Sequence, residues 1–179
     1  MPSAPRSVLA LVIACAAALS LTAAANAAPV EPTVPDNRIA VEDGKLFLVG
    51  HAVGVQIYTC NGSTWGPATP RADLYGDNDR VIIKHYGGPT WQATDGSKVV
   101  ASRVDGVIVD ETAIPWLLLK AGPTSAGAAG DRLEGTTFIQ RLNTTGGLPP
   151  AASECDAASA GTVREVPYTA DYYFWKALI

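Results

Sequence analysis

The sequence predicts an all-β protein: a single-domain antiparallel β-sandwich or β-barrel with short loops and at most one short helix. Short segments that alternate apolar and polar residues recur along the chain, and Gly, Pro, Asn and Asp separate them. No window of helical length keeps the apolar period of about 3.6 residues that a helix requires. Short strands joined by such turns favour packed antiparallel sheets over an α/β fold.

The first 27 residues have the features of a signal peptide. Arg6 precedes an apolar run that begins at Val8, and Ala25-Asn-Ala27 supplies the small residues of a cleavage site. Cleavage there would leave 152 of the 179 residues, in a secreted or extracellular protein. In the alternative, Val12-Ile-Ala-Cys15 is a lipoprotein box, and the chain is lipid-anchored through Cys15.

Composition limits the partners of the chain. The formal charge of −4 becomes −5 once Arg6 is removed, whereas nucleic acids and anionic membranes select basic patches. No second apolar run is long enough for a transmembrane segment. The sequence also has no glycine-rich phosphate-binding motif, and we expect no cofactor.

Two cysteines, Cys60 and Cys155, remain in the processed chain. An exported protein meets conditions that permit disulfides, so we expect these two to pair, with two separate thiols as the alternative. A bridge that closes a loop of this size is worth about 4–5 kcal/mol in the chain-entropy treatment.

The chain divides into three parts: a signal peptide over 1–27, an extended proline-rich arm over 28–37, and one β domain over 38–179. Asp95-Gly96, flanked by apolar alternation, predicts a tight hairpin. A short helix is expected over 151–158 and a flexible loop over 122–130. The predicted strands are 45–49, 53–60, 81–86, 90–93, 98–104, 106–109, 116–120, 136–142 and 168–175.

The last predicted strand is aromatic on both faces. Tyr168, Tyr172 and Phe174 share one face, and Tyr173 and Trp175 share the other. This pattern is typical of a strand buried on both sides, as in a closed barrel. In the alternative, one of the two faces lines a ligand cavity.

Several phrases, taken in order, resemble a known family. They are Gly54-Val-Gln-Ile-Tyr-Thr-Cys60, His85-Tyr-Gly-Gly-Pro-Thr-Trp91 with Asp95-Gly-Ser97, Ile114-Pro-Trp-Leu-Leu-Leu119, Phe138-Ile-Gln-Arg141 with Thr145-Gly-Gly147 and Cys155, and Val166-Pro-Tyr-Thr-Ala-Asp-Tyr-Tyr-Phe174. Together they resemble the family called domain of unknown function 3455, found in secreted bacterial and fungal proteins. The resemblance implies an exported single domain and brings no activity or catalytic residues.

The densest polar and aromatic segment supplies the candidate binding residues His85, Tyr86, Trp91, Gln92 and Asp95. Aromatic rings cover apolar faces of a sugar or small molecule, while amides and carboxylates bind its hydroxyls. In the structural alternative, Trp91 belongs to the core and Asp95 bonds its own turn.

Signals for catalysis are weak. His85 with Asp95 or Asp171 could act as an acid–base pair. A metal site on His51 and His85 would need carboxylates such as Asp79 or Asp171, and the spacing does not demand one, so we predict no metal site. The acidic segment 73–79 lacks the spacing of an EF-hand, and no serine stands in a nucleophile elbow.

The leading hypothesis is a secreted, disulfide-braced β domain that binds an unknown small molecule, a glycan or an extracellular surface without catalysis. One alternative is an extracellular hydrolase that uses His85 with Asp95 or Asp171. Another is a structural protein of the cell envelope or spore surface. Asn61 and Asn143 lie in glycosylation sequons, which matter only if the secreting cell glycosylates.

Overall fold

The computed structural model describes Met1 and residues 28–178, and this part of the chain forms a closed antiparallel barrel. The signal peptide, its cleavage site and the lipoprotein box at Cys15 lie outside the described residues. Each strand pairs with the next along the chain, and the last pairs with the first. The strands are β1 (Gly44–Thr59), β2 (Thr69–Tyr75), β3 (Val81–Tyr86), β4 (Thr90–Ala93), β5 (Lys98–Val107), β6 (Trp116–Ser125), β7 (Thr136–Gly146) and β8 (Val163–Ala177).

The all-β prediction is confirmed, and the architecture is a barrel rather than a sandwich. The helix expected over 151–158 is wrong, because this stretch forms two single 3₁₀ turns, Ala152–Glu154 and Ala157–Ser159. A third 3₁₀ turn, Asn37–Ile39, precedes β1. Within the described residues, no helix is both long and apolar enough to cross a membrane.

Strand lengths differ from the prediction where glycines and charges obscure the pattern. The segments 45–49 and 53–60 form one strand, β1, which continues through Gly50. The prediction missed β2, because Pro70, Arg71 and Asp73 interrupt its apolar residues and only Ala72 and Leu74 are buried. The first residues of the expected 122–130 loop belong to β6.

The barrel interior is filled with side chains. Alternate residues of each strand point inward, as period-2 geometry requires, and they form one continuous core. Its most deeply buried members are Leu74, Ile83, Trp91, Val99, Leu133, Ile139, Tyr172 and Phe174.

Small residues of β1 face large residues of β8 across the closing seam. Gly50 lies opposite Tyr172 and Gly54 lies opposite Tyr168. A Cβ atom at Gly54 would overlap the backbone of Arg71 and Ala72. The absence of a side chain there lets β1 approach β2 closely, while the tyrosine rings occupy the interior.

The outer face of the barrel carries a second, smaller core. Ile39, from the turn before β1, is fully buried against Leu118 and Leu142, and Val34 packs against the same cluster. Gln140 donates its Nε2 to the carbonyl oxygen of Ile39 at 2.6 Å. The end of the predicted proline-rich arm therefore packs on the barrel.

The two-sided burial expected for the last strand is confirmed in β8. Tyr168, Tyr172 and Phe174 belong to the interior core, and Tyr173 packs against the outer cluster. Trp175 is also buried, and its Nε1 donates to Oε1 of Gln140 at 2.9 Å.

The expected disulfide between Cys60 and Cys155 is present, with a sequence separation of 95 residues. It joins the residue after β1 to the loop between β7 and β8, and both cysteines are buried. The bridge therefore braces one end of the barrel.

We expect the double substitution Cys60→Ser, Cys155→Ser to lower the free energy of unfolding by about 2–5 kcal/mol, because the unfolded chain regains the freedom of a long loop. Urea unfolding followed by tryptophan fluorescence measures the change. The reduced wild-type protein is the matched control and should lose a similar amount. An unchanged urea midpoint in both would contradict a stabilising role for the bridge.

Candidate functional site

The five binding residues predicted from the sequence do not line one site. His85 and Trp91 point into the barrel, where their rings stack at 4.1 Å with an angle of 9° between planes. Tyr86 and Gln92 belong to the opposite face of the same hairpin, and the Tyr86 hydroxyl donates to Oε1 of Gln92 at 3.0 Å. Asp95 lies in the β4–β5 turn. Strand alternation separates residues that are neighbours in sequence.

His85 is sealed within the core. Its Nδ1 donates to the carbonyl oxygen of Thr90 at 2.9 Å, and the ring of Tyr172 packs against it edge-on. Burial lowers the pKa of His85 to about 4, so the imidazole is neutral at pH 7. The Nε1 of Trp91, beside it, is buried without a hydrogen-bond partner among the described residues.

The structure does not bring His85 together with Asp95 or Asp171. Asp95 accepts hydrogen bonds from the backbone and hydroxyl of Ser97, and its other oxygen accepts from the backbone of Arg132. These bonds lower the pKa of Asp95, chiefly through the Ser97 hydroxyl. The bonds to Ser97 agree with the structural alternative given in the sequence analysis, in which the Asp95 side chain stabilises its own turn.

Asp171 instead binds the other histidine. His51 Nδ1 donates to Asp171 Oδ1 at 2.6 Å, and Asn143 Nδ2 donates to Asp171 Oδ2 at 2.8 Å. His51 Nε2 lies 3.4 Å from Oδ1 of Asp77 in the β2–β3 turn. The hydrogen bond with Asp171 is the largest cause of a raised pKa at His51.

The sequence contains no local signal for this pair, because His51 and Asp171 are 120 positions apart. The β1–β8 register places them directly opposite each other on the outer face. His51 is thus turned outward and His85 inward. Among the described residues, no group of three or more His, Cys, Asp or Glu side chains could hold a metal ion.

A groove of about 460 Å³ lies on the outer face of β1, β2 and β3. We call it the β1–β3 groove. Val53, with 58% of its surface exposed, lies among longer side chains. The outward-pointing lining residues are Val53, Val55, Arg71, Asp73, Lys84 and Tyr86.

Two exposed ion pairs border the β1–β3 groove. Arg71 Nη2 lies 2.6 Å from Glu165 Oε2, and Lys84 Nζ lies 2.9 Å from Asp73 Oδ1. Exposed pairs of this kind contribute little to stability, and they leave donors and acceptors side by side. The sequence analysis missed Arg71 and Lys84, because charges that alternate along a strand are typical of any solvated face.

A second groove, of about 740 Å³, adjoins the first. We call it the His51 groove. His51 and Val53 are successive outward residues of β1, so the two grooves follow each other along this strand. Its lining includes Phe47, Val49, His51, Asp77, Arg132, Tyr173 and residues 28–30.

The fold and this face define a small, disulfide-braced antiparallel barrel with a filled interior and grooves on its outside. Residues 41–176 match the family described as Protein of unknown function (DUF3455), and the chain belongs to that family. The resemblance noted in the sequence is therefore confirmed. Neither a curated protein nor a solved structure matches the chain significantly.

We expect the two histidines to titrate in different ranges in a ¹H NMR pH series. The His51 signal should titrate above pH 6.5, its ordinary pKa, and Asp171→Asn should move it down towards that value. The chemical shift of His85 should stay constant until the pH falls to about 4, because the imidazole remains neutral above that value. An Asp171→Asn variant with an unchanged His51 pKa would contradict the assigned partner, and Asp73→Asn serves as the control.

The same pKa shifts give opposite effects on stability. The stabilisation from His51, whose pKa is raised, is complete below pH 6.5 and is lost as the pH rises through the folded-state pKa. The contribution of His85, whose pKa is lowered, is complete above pH 6.5 and is lost as the pH falls towards 4. For His85 the loss amounts to roughly 3 kcal/mol. Urea unfolding between pH 4 and 7 measures this loss of unfolding free energy. In a His85→Phe variant we expect the free energy of unfolding to fall less steeply as the pH is lowered.

Proposed function

We propose that this protein is secreted and binds a neutral, polyhydroxylated ligand, a glycan, in the β1–β3 groove without catalysing a reaction. The observation that carries the proposal is the arrangement of the groove: the exposed Val53, the partly buried Val55 and a tyrosine ring lie between two ion pairs. The signal-peptide features and the disulfide support an exported protein.

The apolar part of the groove suits one face of a sugar ring. A pyranose exposes C–H groups on its faces and hydroxyls around its edge, and aromatic rings bind such faces. The ring of Tyr86 is partly exposed, and its hydroxyl is held by Gln92. Because the ring is already fixed, little side-chain entropy would be lost on binding.

The polar part of the groove favours a neutral ligand. Arg71 and Lys84 are each balanced by a carboxylate, so a charged ligand would have to compete with an existing pair. A hydroxyl can accept from the cation and donate to the carboxylate at the same time. The adjoining His51 groove extends the surface from Val49 to Val55, roughly 20 Å along β1, which suits an oligosaccharide better than a monosaccharide.

The hydrolase alternative loses its geometric support, because His85 contacts neither Asp95 nor Asp171 through a hydrogen bond or ion pair in the described structure.

One observation favours the alternative of a structural protein of the cell envelope or spore surface. Val104, Ile108 and Val109 are about half exposed and lie within six positions at the end of β5. A contiguous apolar patch of this kind would mark a contact with another surface, since monomers rarely expose one. Adhesion of the barrel to purified envelopes, lost in a Val104→Ser, Ile108→Ser variant, would support that role.

Glycan binding is tested with an oligosaccharide array followed by calorimetry on the best ligand. We expect Tyr86→Ala and Lys84→Ala each to weaken binding about tenfold or more, because loss of one good contact costs roughly 1.4 kcal/mol. Lys120→Ala, an exposed lysine on β6 outside both grooves, is the matched control and should bind normally. An array without any bound glycan, or an equal loss in the control, would refute the proposal.

A further inference from the structure

A second candidate site lies at one end of the barrel interior, around Arg141 of β7 and the loop residues Pro115 and Gly147. Arg141 is paired across the sheet with Tyr172 on β8 and with Leu117 on β6. Residues paired in this way share a face of the sheet, and Tyr172 and Ile139 belong to the interior core. The guanidinium therefore belongs to the inside of the barrel, and the residue is only partly exposed.

Arg141 has no carboxylate partner within residues 28–178. Its Nε and Nη2 both donate to one acceptor, the carbonyl oxygen of Pro115, at 3.2 and 2.8 Å. The Tyr172 hydroxyl oxygen also accepts from the Arg141 side chain. A guanidinium carries five N–H groups, so two of them have no described protein partner. Arginine that is withdrawn from water is normally paired, because an uncompensated charge is costly in a protein interior.

Four titratable groups on which the charge of Arg141 acts are neutral at pH 7. They are Tyr58, Tyr168 and Tyr172, whose pKa values are raised by burial, and His85, whose pKa is lowered by burial. The hydroxyls of Tyr168 and Tyr172 lie 3.4 Å apart, so either of them can donate to the other. The hydroxyl that accepts in this bond keeps its own proton and can donate it to a third group. These four groups therefore supply donors near Arg141 and no negative charge.

A buried donor without a partner supports the same conclusion. Gln56 is only 3% exposed, and its Nε2 has no hydrogen-bond partner among the described residues. Gln56 and Tyr168 both pack around Gly147, whose carbonyl oxygen accepts from the Tyr58 hydroxyl at 2.7 Å. Ile114 precedes Pro115, whose carbonyl oxygen binds Arg141, and the Ile114 side chain also lies beside Gly147.

We infer that this end of the barrel binds a small carboxylate-type anion, held by the free N–H groups of Arg141 with Nε2 of Gln56 as a further donor. An anion would compensate the guanidinium and satisfy the orphaned amide at once. A carboxylate fits best, because its two oxygens match the planar fork of the guanidinium. The inference is independent of glycan binding in the outer grooves.

The test follows arginine Nε–Hε signals of the whole protein by ¹H–¹⁵N NMR, at constant ionic strength, while acetate, chloride or phosphate is added. We expect acetate to shift the Arg141 signal in a saturable way. Chloride or phosphate binding as tightly as acetate would overturn the assignment to a carboxylate. A linear drift without saturation for all three anions would overturn the inference, as would equal shifts at every arginine.

Three variants separate binding from folding. Gln56→Leu keeps the shape and removes the unpartnered donor, so we expect a higher melting temperature without anion and about tenfold weaker acetate binding. Arg141→Lys keeps the charge without the fork and should also bind acetate at least tenfold more weakly. Arg80→Gln, in the exposed β2–β3 turn, is the control and should bind as the wild type. Wild-type affinity in Gln56→Leu and Arg141→Lys would overturn the site.

Discussion

Pairing between β1 and β8 closes the sheet, and within it two glycines of β1 lie opposite two tyrosines of β8. Gly50 and Gly54 lie opposite Tyr172 and Tyr168, whose rings belong to the interior core, and a Cβ atom at either glycine would crowd Leu74 or Ala72 of β2. The pairing leaves neither terminal strand with a free edge, which would otherwise invite association with other chains. The disulfide then links the end of β1 to the loop that leads into β8, so that the same seam is braced covalently.

Closure also decides which polar side chains meet. The β1–β8 register sets His51 opposite Asp171 on the outside, while β3 and β4 turn His85 inward onto Trp91. The two histidines thus have opposite environments and opposite pKa shifts. One forms part of a solvent-exposed groove, and the other is a neutral core residue. A site that combines them is incompatible with the alternation of a closed barrel.

The barrel has two surfaces on which a ligand could be recognised, and they differ in chemistry. The outer grooves are bordered by compensated charges and exposed apolar groups, which suits a neutral ligand. Among the described residues, the interior end carries a guanidinium without a carboxylate and an amide without a partner, and the proposed anion site rests on these two groups.

The sequence alone determined the β class, the cysteine pair, the β4–β5 hairpin, the two-sided burial of β8 and the family. These features depend on local alternation, turn residues and short motifs, which are readable within a few positions. Tertiary structure decided the closure of the barrel, the existence of β2 and the partners of His51, Arg141 and Asp171. These depend on register between strands far apart in the chain. A shift of one residue in register reverses which face each side chain occupies, and no local pattern specifies it.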